Sequence, residues 1–310
     1  MLSRIAESLF WIGRYVERAD DTARILDSHL QRLLEDPWID EDPACRSLLA
    51  VMGVPDPDPD VVLTRRDVLQ ILAYDQTSPS SCAGTLVAAR QNARRAREAL
   101  SSELWEALNT TWNALPTVID TSAPHDFFAW VRERAAIAGG ITDAATRRDA
   151  TFQFFLLGRS IERADMTARL IASRAITGPA GPGWMTLLRS CGAYEVFLRT
   201  YRGRDSDTLA AEFLLLDRLF PRSVLFSLET AERCLARLDP TEHVPRSEED
   251  ARRALGRVRS DLEFAPFLSL LNNLPEQMEQ VQRGCSEASD AIRLRYFPSA
   301  TDDEWIGGRL

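Results

Sequence analysis

Between its turn-forming residues the chain repeats its apolar positions at the 3.6-residue period of an amphipathic helix, and no stretch keeps the alternation of a strand. The pattern predicts an all-α protein, with helices at about 3–34, 46–53, 65–75, 79–112, 125–138, 142–176, 182–202, 207–217, 221–238, 247–271 and 275–296. The breakers predicted between them are Asp36-Pro37, Asp42-Pro43, the run from Gly53 to Pro59, the Gly178–Gly183 turn and Asp239-Pro240. Two further corners, Asp75-x-x-x-Pro79 and Asp217-x-x-x-Pro221, read as turns in which proline opens the next helix.

The polar positions carry more information than the apolar ones. The segment from Phe10 to Ser28 returns 145 residues later as Phe155 to Ser173, with 11 of 19 positions identical. The shared residues include Gly, Arg, Glu, Arg, Ala, Asp, Thr, Ala and Arg in order, so a charged pattern recurs and not merely a hydrophobic period. A second phrase echoes 142 residues on: Asp75, Pro79, Ser81, Leu86, Ala89 and Arg95 match Asp217, Pro221, Ser223, Leu228, Ala231 and Arg237. Two phrases in one order and at nearly one spacing predict a duplicated unit of about half the chain. The expected architecture is an internally duplicated helical bundle with pseudo-twofold related halves, 1–145 and 146–310, forming one body.

On a helical wheel the first copy puts Ile12, Tyr15, Val16, Ala19, Ala23 and Leu26 on one arc. Arg14, Glu17, Arg18, Asp21 and Arg24 take the opposite arc, with Asp20 at its border. The second copy repeats this with Arg159, Glu162, Arg163 and Arg169, Asp165 at the border, and Met166 in the place of Asp21. Arg14 with Glu17, and Asp20 with Arg24, stand at spacings that pair charges along a helix. A solvated face laced with weak pairs is the plainest reading of one such helix. Solvent faces drift after duplication, however, and here the charges stayed while Trp11 and Tyr15 became Leu156 and Ser160. Two constraints fit: a buried Arg–Glu network where the repeat helices meet, or a site in which arginine forks bind a carboxylate or phosphate.

Composition narrows the chemistry. A net charge of −9 disfavours nucleic acid and anionic membrane as partners. The local exception, Arg90, Arg94, Arg95 and Arg97, reads as a solvated face within reach of Glu98 and Glu103. No run of 18 apolar residues occurs and Arg4, Glu7 and Arg14 interrupt the start, so a spanning helix or signal peptide is not expected, and the protein is expected in the cytoplasm. Five scattered cysteines form no Cys-x-x-Cys pair, and His29, His125 and His243 lack the carboxylate spacing of a di-iron bundle. Neither a metal nor a cofactor is therefore expected. The Gly178–Gly183 run lacks the Gly-Lys-Ser/Thr of a phosphate cradle. No nucleophile–base pair stands near the charged repeats, so an independent helical enzyme acting on a small carboxylate is the weaker reading.

The opening Met1 to Asp20, with Pro79-Ser-Ser81, Ala88 to Arg94, Glu103 to Asn109 and Phe220-Pro-Arg-Ser-Val224, resembles the alpha-E family, an all-helical domain named for its Glu-Arg motif. The resemblance covers almost the whole chain and marks Glu17-Arg18 and Glu162-Arg163 as the motif residues. It implies association with circularly permuted ATP-grasp ligases, transglutaminase-like proteins and sometimes a proteasome-like peptidase, hence peptide or amide-bond modification. The expected role is a helical subunit beside an ATP-grasp ligase, binding the partner or an acidic peptide through the arginine-bearing helices. The alternative is a structural or interaction module whose paired charges only lock the halves.

Overall fold

The computed structural model describes residues 1–55, 58, 60–116, 122–177, 183–204, 206–239 and 250–298. These residues form helices and no strand. In chain order they are α1 (Ser3–Glu35), α2 (Glu41–Val51), α3 (Arg65–Val68) continued by a π-helical turn (Leu69–Tyr74), α4 (Cys82–Arg95), a 3₁₀ turn (Arg97–Ala99), α5 (Ser102–Asn113) and α6 (Pro124–Ala145). There follow α7 (Ala150–Thr177), α8 (Trp184–Ser190), α9 (Tyr194–Thr200), α10 (Asp207–Leu216), α11 (Val224–Leu238), α12 (Ala251–Phe264), α13 (Phe267–Asn272) and α14 (Leu274–Tyr296). No described helix is long and apolar enough to cross a membrane.

Several boundaries differ from the periodic pattern, each for a local reason. Pro43 lies inside α2, in the first turn, where a missing N–H breaks no helical bond. The stretch 79–112 divides at Ala96–Ser101, because the Ser101 hydroxyl caps a new helix by accepting from Leu104 N–H at 3.2 Å. Pro79 and Pro221 do not open their helices. Ser81 and Ser223 do, each side chain accepting from the backbone N–H three residues on (Gly84, 2.8 Å; Phe226, 3.1 Å) and donating to the carbonyl of Asp75 or Asp217. Gly139 and Gly140 stay within α6, and the break before α7 falls at 146–149, where Asp149 accepts from Thr151 N–H at 3.0 Å. Gly192, at φ +61°, separates α8 from α9, and Pro266 separates α12 from α13. The 178–182 part of the predicted Gly178–Gly183 turn, Pro240 and His243 lie outside the described residues.

The two repeat helices, α1 and α7, lie against each other at the centre. α1 also packs on α4 and α6, and α7 on α11 and α14. Gly13 and Gly158 set how closely they approach: a methyl group at Gly13 would overlap the Phe155 carbonyl, and one at Gly158 the Phe10 carbonyl. Around this crossing Phe155 of α7 enters an apolar cluster with Ile12, Ala89, Leu104 and Ala138. Phe10 of α1 reaches the other way, its ring 5.7 Å from Phe297. The main core, which includes Leu9, Leu26, Phe128, Ile161, Phe213 and Met278, draws on both ends of the chain.

Candidate functional site

The charged arc predicted from the repeats is not a solvated face. Glu17 is 3% exposed and Glu162 1%, and Asp20, Asp21 and Asp165 are buried as well. With glycine at the crossing, the next turn of each helix brings its glutamate against the arginines of the other. Arg163 donates to both Glu17 oxygens at 2.6 and 2.7 Å. Arg18 donates to both Glu162 oxygens at 2.5 and 3.0 Å, and Arg14 adds a bond to Glu162 at 2.6 Å. Each motif arginine also reaches a proline carbonyl at the corner beside its own helix, Arg18 to Pro79 at 3.1 Å and Arg163 to Pro221 at 3.3 Å. The Glu-Arg dipeptides thus exchange forked bonds across the helix pair and clamp the two corner turns at the same time.

Burial by itself raises both carboxyls, but the surrounding guanidinium charges outweigh it. Arg163 and Arg222 hold Glu17 below its usual range, and Arg18 and Arg14 hold Glu162 down at about 2. Both are fully ionised near neutrality.

Farther along, Arg24 pairs with Asp20 at 3.1 Å and Arg169 with Asp165 at 2.8 Å, each within its own helix. These guanidinium groups lie over the glycines that end the opposing short helices. A Cβ at Gly192, after α8, would stand 2.7 Å from Arg24, and one at Gly53, after α2, 3.0 Å from Arg169. Both glycines have positive φ and close a helix C-terminus, where a cation is favoured.

Of the ten residues singled out from sequence, the structure brings Arg14, Arg18 and Glu162 into one group and Glu17, Arg163, Asp20 and Arg24 into another, with Asp165 and Arg169 paired beside the first. Arg159 is set apart: it turns to Asp143 of α6 at 3.5 Å and makes no bond to either motif glutamate. The expected Arg14–Glu17 pair does not form either, because Arg14 is drawn to the buried carboxylate on α7. The Arg90 stripe also finds other partners. Arg90 lies 4.3 Å from the Trp112 ring and Arg97 4.9 Å from the Trp105 ring, while Glu98 pairs with Arg4 across the break after α4.

One member escaped the sequence reading. Arg222, in the corner before α11, bonds Asp20 and Asp21 and lies 3.1 Å from Glu17. Its signal was present: the echo that aligns Pro221 with Pro79 and Ser223 with Ser81 sets Arg222 opposite Ser80, just as Asp21 stands opposite Met166. The acid present only in the first phrase thus meets the base present only at the second corner. Glu17, Asp20 and Asp21 are close enough together to ligate a cation, but the Arg222 guanidinium lies among them and would have to be displaced first. Burial, with Glu17 and Asp20 beside it, raises the Asp21 carboxyl to about 8 despite Arg222, and its Oδ2 has no hydrogen-bond partner.

A cleft of about 280 Å³ opens beside the Glu162 group, lined by Arg14, Asp165 and Arg169 with Ser289, Asp290 and Arg293 of α14. All five cysteines are buried, and burial pushes their thiols up, so none is a ready nucleophile.

A core of two long helices joined through exchanged Glu-Arg pairs defines a class of all-helical domain, and comparison with known proteins names it. Residues 1–297 match Alpha-E, described as a predicted alpha-helical domain with a conserved ER motif, and the chain belongs to that family. Similar relatives include an uncharacterized protein of Mycobacterium bovis and two of Mycobacterium tuberculosis, each 26% identical over 255 residues, covering 73% of this chain and 29% of the relative. The chain therefore spans about three-tenths of the length of the curated relatives it matches. No solved structure matches it.

Proposed function

We propose that this chain is a non-catalytic helical interaction module, duplicated as halves 1–145 and 146–310 about a pseudo-twofold axis between Gly13 and Gly158, in which the Glu-Arg motifs lock the halves together. The observation that carries the reading is that both motif glutamates are buried, ionised and already engaged by guanidinium groups from the opposing repeat helix. Each carboxylate already takes three close contacts from guanidinium groups, and each motif arginine spends its fork on the opposing glutamate and a third N–H on a proline carbonyl, which leaves little of either group for a substrate. The reciprocal bonds to Pro79 and Pro221, and the matching arginine-over-glycine contacts, are what a duplicated unit produces.

The module's partner is proposed to be a cytoplasmic ATP-grasp ligase engaged in peptide or amide-bond modification, as the family resemblance implies. Exposed apolar side chains at Leu219, Phe264 and Leu268 supply surface for such contact. A second reading, in which an acidic peptide binds the motif helices, is favoured by the cleft that reaches Arg14 and Arg169.

Glu17→Gln and Glu162→Gln separate the two. A lock predicts that each loses about 3–5 kcal/mol in urea unfolding, as when one partner of a buried ion pair is removed. Capture of the ATP-grasp partner would then follow the folded fraction. Unchanged stability with loss of partner capture or of product would overturn the lock and leave the peptide site.

A further inference from the structure

Away from the Glu-Arg pairs, the outer ends of α1 and α7 diverge around a cavity of about 570 Å³ closed by α2 and α8. It shares no lining residue with the charged network, so its chemistry is independent of the Glu-Arg lock. Its floor is apolar, formed by side chains such as Leu48, Leu170 and Leu187. Two of the four hydroxyl residues that line it already donate within their own helices: Ser173 to the Leu170 carbonyl at 2.7 Å and Ser190 to the Thr186 carbonyl at 3.1 Å. What these two hydroxyls have left to offer a guest is an acceptor lone pair. His29 also lines it, with a buried Nε2 that has no hydrogen-bond partner. Burial and the charge of Arg32 hold this imidazole down at about 4, so it is neutral and adds no positive charge.

At the mouth stands Trp38, 92% exposed, a large aromatic ring with no packing role, between Asp36 and Asp40. Arg32, on the same rim, is balanced by Asp36, which leaves the entrance one negative charge in excess. An aromatic face beside one unbalanced carboxylate attracts an ammonium group, and an apolar chamber with acceptors in its lining behind it suits an uncharged hydrocarbon body carrying a donor.

We propose that this cavity binds a small primary amine with an apolar body, its ammonium held at the mouth by Trp38 and Asp40 and its hydrocarbon part among Leu48, Leu170 and Leu187. The amino-terminal residue of an apolar peptide and a free aralkylamine share this chemistry.

The test is ligand-observed NMR titration of the full chain with phenethylammonium, its anionic counterpart 3-phenylpropionate and the amino-terminal dipeptide Phe-Ala amide. Saturable binding of phenethylammonium is expected, at least about tenfold tighter than 3-phenylpropionate. Tighter binding of the dipeptide would assign the site to peptide amino termini, and weaker binding to free amines. Trp38→Ala, a change at an exposed side chain, is expected to weaken binding about three- to tenfold without moving the melting temperature. Ser47→Phe, which fills the chamber from α2, is expected to abolish it, with circular dichroism reporting that the variant is folded. Should that variant unfold, Asp40→Asn replaces it, with loss of the preference for the cation as the expected result. Absence of saturable binding, equal affinity for both charges, or insensitivity to Trp38→Ala would each overturn the proposal.

Discussion

Arg222 reaches three carboxylates from the corner before α11, whereas Ser80, at the matching place before α4, carries no charge. The excess acid of the first copy, Asp21, is tolerated only because that guanidinium stands beside it, and even so its carboxyl titrates near 8. A buried carboxyl whose pKa lies above its unfolded value binds its proton more tightly when folded. Its contribution is complete below about 4 and is lost as pH rises toward 8. Asp21→Asn, which keeps the shape of the protonated acid but does not titrate, should raise stability by no more than about 2 kcal/mol at pH 5 and by more than that at pH 8. Urea unfolding at the two values checks this, and a loss at pH 8 would mean that Asp21 acts as an ionised partner of Arg222. Glu162 has the opposite sign: its depressed carboxyl adds stability above about 4.5 that is lost as pH falls toward 2.

α1 and α7 owe their contact to what is missing as much as to what is present. At Gly13 and Gly158 each helix accepts the other's backbone carbonyl where any Cβ would stand, and the glutamates one turn on then meet arginines. Gly13→Ala or Gly158→Ala should force the helices apart and cost about 1–3 kcal/mol each, although alanine favours an isolated helix. Because separation also stretches the ion pairs, Gly13→Ala and Glu162→Gln should be less than additive in a double-mutant cycle. Elsewhere the elements depend on their caps. Ser81→Ala and Ser223→Ala should each lose about 1 kcal/mol, since each hydroxyl serves a helix N-terminus and the preceding turn at once.

Across the whole molecule the apolar core does not divide where the sequence repeat does. Phe155 packs among α1, α4, α5 and α6, and Phe10 beside Phe297, so each half completes the other's interior. The full chain is therefore expected to unfold in one transition, with tryptophan fluorescence and far-ultraviolet circular dichroism coinciding. Two separated transitions would mean that the halves hold independent cores.

Helix content was legible in the chain from its 3.6-residue apolar period, and the charged phrase that occurs twice pointed to most of the buried ion pairs, although it included Arg159, which joins neither group, and missed Arg222. The same local rules misplaced the breaks at Ala96–Ser101 and 146–149. There a capping serine or aspartate outweighed periodicity, and Gly139 with Gly140 proved compatible with a helix. Which charge pairs with which was not legible, since Arg14 bonds Glu162 from 148 positions away and not its helical neighbour Glu17. Spacing along one helix reports only what that helix can offer. Burial between two helices removed water as the competing partner, and the glycine crossing decided which guanidinium stood nearest each carboxylate.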